Sequence, residues 1–302
     1  MQLTFAHLSD PHNPLPPDVA VRQLLNKRLL GYQSWRRKRH LRHRPEVLAA
    51  LLADVAEAAP DHIVISGDLV NIALPAEFSA ARDWLQRVGP PQDVTVIPGN
   101  HDAYVPLPFD EGIGLWSPWM LGDGTGSVTF PFVRRRGPVG FVMLSTAVPS
   151  PPFMATGRLG VAQIERAANL LAELGREGLF RVLVLHHPPE DRPTRARKAL
   201  QDRAALREAI RQSGAELVLH GHQHHSHFGL VDGPQGKIPV LGVPSASMGL
   251  APRKGDPARW NLIDLRCEDA GWRLAVRTRG LTERGFETLG QWQLPIPRPQ
   301  PR

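Results

Sequence analysis

The run His62-Ile63-Val64-Ile65-Ser66-Gly67-Asp68 is a short β-branched strand pattern that ends on a glycine and a carboxylate. Val94-Thr95-Val96-Ile97 repeats the arrangement just ahead of Gly99-Asn100-His101-Asp102. Residues 3 to 8 do so ahead of Asp10-Pro11-His12, residues 181 to 185 ahead of His186, and residues 216 to 219 ahead of Gly221-His222-Gln223-His224. Between these runs lie helical spacings. Pro45 opens one with Val47, Leu48, Leu51, Leu52 and Val55, and others fit residues 75 to 88, about 160 to 177 and about 196 to 212. Short apolar strands alternating with amphipathic helices predict parallel βαβ units. Open α/β sheets bind ligands beyond the carboxyl ends of their strands, so polar residues at five such ends predict one common site.

Outside this frame the pattern changes. Residues 127 to 144 read as a hairpin, with strands over 127–133 and 139–144, and strands recur near 238–243, 261–265 and 272–278. The expected architecture is α/β with four layers (αββα): two mixed β-sheets packed as a sandwich and flanked by helices. One domain is expected over 1–294, with a basic helical insertion at about 13–44 and a Pro-rich, disordered tail over 295–302. The lone cysteine, Cys267, leaves no intrachain disulfide, and no apolar run is long enough for a spanning helix. Neither a basic leader nor a cleavage site precedes the first strand, so a cytoplasmic location is expected. The net charge of +7 favours anionic partners.

The residue types at the strand ends point to divalent metal chemistry. Carboxylate and amide oxygens with imidazoles suit Mn, Fe and Zn, and the absence of cysteine from these loops argues against a thiolate zinc site. A carboxylate shared by two ions holds them roughly 3.5–4 Å apart, the spacing used in two-metal phosphate hydrolysis. His62 reads as a packed or surface histidine and is left out of the ligand set; taken singly, Asp10 before Pro11 could start a turn, Asp68 could cap a helix and Asn100 could favour a left-handed turn. Together they are harder to explain without metal, since seven of the thirteen histidines fall between His186 and His227.

The blocks Asp-x-His, Gly-Asp, Gly-Asn-His-Asp, a lone His and Gly-His-x-His, in that order from Asp10 to His224, resemble the calcineurin-like metallophosphoesterase superfamily. The resemblance implies a metallo-dependent phosphatase-like fold and a dinuclear centre of two divalent metal ions (Mn, Fe or Zn). Asp10, His12 and His224 would hold one ion and Asn100, His186 and His222 the other, with Asp68 bridging. A metal-bridging hydroxide would attack phosphorus while His101, as general acid, protonates the leaving oxygen. Protein phosphatases of the superfamily carry an aspartate three residues after the bridging one, then an arginine; here Asn71 and Ile72 stand there. That departure points to the phosphodiesterase-like branch, with Asn71 as a neutral group able to orient His101. The expected function is therefore cleavage of a phosphodiester or pyrophosphate bond. Phosphomonoester hydrolysis and a non-catalytic scaffold are the alternatives.

Residues 18–44 carry an expected helical face of Val21, Leu24, Leu25 and Leu29, then Trp35 and a run from Arg36 to Arg44. Three uses compete: a solvated basic face, a rim that gathers a phosphorylated small-molecule or lipid-linked substrate, and docking on an anionic membrane surface. Nucleic acid fits less well, because Tyr32 and Trp35 alone supply stacking surfaces.

Overall fold

Two six-stranded sheets carry the fold in this computed structural model, which describes residues 1–190, 196–250, 255–269 and 271–298. Numbered along the chain, β1 (Gln2–Leu8), β2 (His62–Ile65) and β3 (Val94–Val96) run parallel. They are extended by the antiparallel β10 (Arg259–Glu268), β11 (Gly271–Thr282) and β12 (Gly285–Pro297), giving the order β12-β11-β10-β1-β2-β3. The second sheet holds β4 (Phe132–Arg136), β5 (Val139–Met143), β6 (Phe180–Val184), β7 (Leu217–His220), β8 (His227–Gly233) and β9 (Gly236–Gly242). Its order is β4-β5-β6-β7-β9-β8, with β5, β6, β7 and β9 parallel.

The sheets meet face to face. Phe5 packs edge-on against Phe141 with ring centroids 5.1 Å apart, and Phe180 against Trp272 at 5.8 Å. Such aromatic pairs add about 0.5–1.5 kcal/mol beyond their area burial. Helix α2 (Pro45–Ala58) covers the first sheet through Leu48, Leu51 and Val55, the stripe its spacing predicts. Helix α3 (Pro75–Val88) follows, its Phe78 and Trp84 buried in the same core. On the second sheet α4 (Val161–Arg176) and α5 (Arg203–Ser213) bury Ile164, Leu171, Leu206 and Ile210. These are the four expected layers, and they place the carboxyl ends of β1, β2, β3, β6 and β7 along one edge.

Several boundaries differ from expectation for local reasons. The strand expected from 127 begins only at Phe132, because Pro131 lacks the N–H a ladder needs. Only Arg203–Ser213 of the helix expected over 196–212 forms as α-helix. Leu200 bridges to Gly157 instead, and the Asp202 carboxylate accepts from the Leu159 and Gly160 N–H groups. The tail expected to start at Pro295 is still strand to Pro297, where prolines are tolerated because β12 is an edge; residues 299–302 lie outside the described residues. The insertion is a 3-10 turn (Val21–Leu24), α1 (Arg28–Ser34) and a π turn (Trp35–Arg39), not one amphipathic helix. Leu24 is buried against Leu15, Ile72 and Leu74, whereas Val21 and Leu25 are exposed. Among the described residues no helix is long and apolar enough to cross a membrane.

His62, at the start of β2, is a packed histidine: its Nε2 lies 2.7 Å from Thr95 Oγ1 and its ring 5.3 Å from that of Phe141. Burial, with Arg136 and Arg134 nearby, pushes it down to about 3. Below pH 6.5 the unfolded chain takes a proton there that the folded chain refuses, so stability falls as pH drops from about 6.5 towards 3. We expect this to cost about 2 kcal/mol at pH 5 relative to pH 7.5. Urea midpoints at the two pH values check it, with His62→Gln losing that share of the difference.

Candidate active site

The sequence-selected residues converge where the strand ends meet. The loop after β1 carries Asp10 and His12, and the loop after β2 carries Asp68. All three have positive φ (52°, 41° and 57°), as do His222 (69°) and His224 (56°). Left-handed backbone in non-glycine residues costs of order 1 kcal/mol each, and packing tolerates it where it aims side chains at a site. Asp102 staples the loops together. Its carboxylate accepts from the backbone N–H groups of Asp68 (2.9 Å), Val70 (3.0 Å) and Gly99 (2.8 Å). Gly99 is required because a Cβ there would strike Asp68 Oδ1.

Distances then define the cluster. Asp10 Oδ1 lies 3.1 Å from His224 Nε2 and 3.9 Å from His12 Nε2, and those two imidazole nitrogens are 3.4 Å apart. Asp68 Oδ2 lies 3.4 Å from His186 Nε2 and 3.9 Å from His12 Nε2, between the two groups. Asp68, His186 and His222 each offer an atom to one small volume. Asp68 Oδ1 accepts from the His101 backbone N–H at 2.7 Å.

The ring tautomers reveal what the cluster is built for. His186 Nδ1 donates to Ser66 O (2.7 Å), His12 Nδ1 to Val70 O (3.1 Å) and His222 Nε2 to Lys198 O (2.9 Å). Each ring thus keeps its other nitrogen as a lone pair facing the carboxylates, the pattern of metal-binding histidines oriented by carbonyls. His186 Nε2 and Asn100 Oδ1 are buried without a hydrogen-bond partner among the described residues. These donors fit two divalent cations. Electrostatics agree: burial lowers the His186 imidazole, but the adjacent Asp68 carboxylate outweighs it and raises the group to about 9. A proton is drawn to the place where a cation fits.

Other parts of the site could not be read from the sequence. Arg39, from the basic insertion, sets its guanidinium against His101 and His12, with Nη1 3.5 Å from His101 Nδ1 and Nη2 3.4 Å from both His101 Nε2 and His12 Nδ1. No carboxylate pairs with it among the described residues. His43, also from the insertion, is buried with its ring 4.4 Å from that of His12 and its Nδ1 2.9 Å from Ser247 Oγ. These residues, with Lys198, line a cleft of about 420 Å³ that reaches Asp68, Asn100, His101, His222 and His224. Lys27 and Arg28 have a different use: Lys27 donates to Ser150 O, and Arg28 to Ile72 O and Ala73 O, clamping the insertion to the fold. His101 Nδ1 donates to the backbone O of Asn71 (2.5 Å). The expectation that the Asn71 amide orients His101 is therefore corrected, since that amide donates to Asn13 O instead.

Paired carboxylates and lone-pair-bearing imidazoles at the strand ends of a two-sheet sandwich define a metal-dependent hydrolase of phosphoric esters. The chain belongs to the calcineurin-like phosphoesterase family, whose model matches residues 3–226. It is 28% identical over 279 residues to a Synechococcus protein described as "probable cyclic nucleotide phosphodiesterase", covering 91% of this chain and 92% of the relative. A cAMP/cGMP dual specificity phosphodiesterase of Mycobacterium tuberculosis is 27% identical over 175 residues, 55% of this chain and 49% of that one. In fold the chain is similar to a dimetal phosphatase from Danio rerio, with a TM-score of 0.62 at 12% identity over 97% and 98% of the two chains. It is also similar to a purple acid phosphatase from yellow lupin, with a TM-score of 0.63 at 11% identity over 98% of this chain and 54% of that one.

Proposed function

We propose that this enzyme hydrolyses a phosphodiester or pyrophosphate bond in an anionic small molecule, with a cyclic nucleotide as the substrate class its relatives' names favour. Asp10, His12 and His224 would hold one divalent ion and Asn100, His186 and His222 the other, with Asp68 between them. Two such ions, when bound, supply charge for the phosphoryl oxygens and lower the pKa of water at the site.

The chain's own contribution is positioning and proton transfer. Arg39 reaches into the cleft and makes no ion pair among the described residues, so its charge is available to a substrate phosphate. Burial, with the Arg39 charge, pushes His101 down to about 3. A phosphate paired with Arg39 offsets that opposition. His101, anchored through Nδ1, then holds a proton at Nε2 and delivers it to the departing alkoxide. Convergence of lone pairs on Asp68, beside a guanidinium with no ion pair among the described residues, is the observation that carries this reading.

The experiment is a metal-reconstituted assay on aryl and alkyl phosphodiesters, cyclic nucleotides and aryl monoesters, for wild type and His101→Ala. Diesters should be preferred. The variant should lose about 10²-fold or more on alkyl diesters, whose leaving groups need a proton, and far less on aryl ones. Pure monoester turnover, or equal losses on both leaving groups, would remove the proposal. Val21 and Leu25, exposed on the same insertion that carries the exposed Arg36 and Arg37, favour a lipid-linked pyrophosphate as a second reading. Adding such a substrate to the panel separates the two.

A further inference from the structure

A second histidine–carboxylate cluster stands apart from the site just described. Glu190 follows β6 on the loop Pro188-Pro189-Glu190, His220 closes β7, and His227 opens the edge strand β8. One ligand-type atom from each lies within 4.8 Å of the others. His227 Nε2 is 2.5 Å from Glu190 Oε2, and the His220 and His227 ring centroids are 5.5 Å apart.

An ion pair between Glu190 and His227 accounts for two of the three residues and leaves the third unexplained. His220 is fully buried, and its Nδ1 donates to Gly221 O at 2.9 Å. That fixes the tautomer, so Nε2 carries a lone pair, yet it is buried with no hydrogen-bond partner among the described residues. A buried acceptor without a donor is destabilising, because its lost hydration is not replaced. An imidazole anchored through one nitrogen by a carbonyl, with the other bare, is what metal-binding histidines present. The surrounding backbone has been cleared for the cluster. A Cβ on Gly242 would lie 2.7 Å from His220 Nε2, and one on Gly229 would lie 2.7 Å from His227 Nε2 and strike the Glu190 carboxylate. His227 faces Gly242 across the β8–β9 ladder, so the vacancy and the ligand share one register position.

We propose that Glu190, His220 and His227 bind a further divalent cation of the zinc class, separate from the dinuclear centre. Two imidazoles and one carboxylate are a borderline donor set suited to Zn and its neighbours. The Glu190 and His227 side chains are 13% and 22% exposed, which gives an ion an entry path and a place for a water ligand. Binding displaces the proton shared by Glu190 and His227. The ion then ties the loop after β6 and the edge strand β8 to the centre of the second sheet. Its role is structural, because none of the three residues lines the catalytic cleft.

The test is metal content by elemental analysis after stripping with chelator, reloading with Zn²⁺ alone and desalting. Glu190→Gln and His227→Asn, both partly exposed, should each hold one ion fewer per chain than the wild type, whatever total the wild type holds. Zn²⁺ should raise the thermal transition of the wild type several degrees further than that of either variant. Asp68→Asn should keep this ion, so failure of the dinuclear reading and failure of this one give different counts. Circular dichroism confirms that the variants are folded. Wild-type ion counts in both folded variants would overturn the proposal.

Discussion

Asp68→Asn is expected to lower kcat/KM at least about 10³-fold, or about 4 kcal/mol of transition-state stabilisation, while leaving the fold intact. The reason is charge. Among the clustered donors only Asp10 and Asp68 bring negative charge, and Asp68 alone lies between the two groups, 3.4 Å from His186 Nε2 and 3.9 Å from His12 Nε2. An asparagine of the same shape removes half of the charge that neutralises two divalent cations and turns an N–H₂ towards one of them. Shape is preserved, so the Asp102 staple and the His101 N–H contact to position 68 still have partners. Steady-state kinetics in excess Mn²⁺ and Zn²⁺ check it. Recovery of activity at high metal concentration would show that Asp68 serves affinity alone.

Arg39→Met should reduce kcat/KM about 10²-fold, the scale of one charged contact to a phosphoryl group in a water-poor site. An arginine whose guanidinium lies against two imidazoles and makes no ion pair among the described residues is not placed for stability, so the thermal transition should move little. Loss of ground-state binding appears as raised KM; release of His101 from a neighbouring cation appears as a shifted pH profile. Arg39→Lys should recover only part of the activity, since an ammonium does not fork onto phosphate. Kinetics unchanged by Arg39→Met would return the insertion to a solvated basic face.

What the sequence revealed and what it hid have physical causes. Strands buried on both faces read as unbroken apolar runs, so β1, β2, β3, β6 and β7, with the residues that follow them, were legible. β1, β2 and β3 are parallel neighbours in one sheet and β6 and β7 in the other, and the two sheets pack with these carboxyl ends along one edge, where Asp10, His12, Asp68, Asn100, His186, His222 and His224 come together. β12 was hidden because an edge strand is half solvated, and its Gln291-Trp292-Gln293-Leu294 alternation runs into the prolines from Pro295 that read as a tail. Nothing distinguishes Arg39 from Arg36 or Arg37 until the π turn rotates it inward, and nothing marks His43 until Ser247 receives it. Those are tertiary facts. Asn71 shows the same limit at one residue: its position beside His101 was readable, but the contact runs through its carbonyl rather than its amide.

Anomalous diffraction from crystals grown with Mn²⁺ would probe the dinuclear claim at its root. Two peaks are expected beside Asp68, one within bonding reach of Asp10, His12 and His224 and the other of Asn100, His186 and His222. A single peak there, or an Asp68 carboxylate touching no ion, would contradict it.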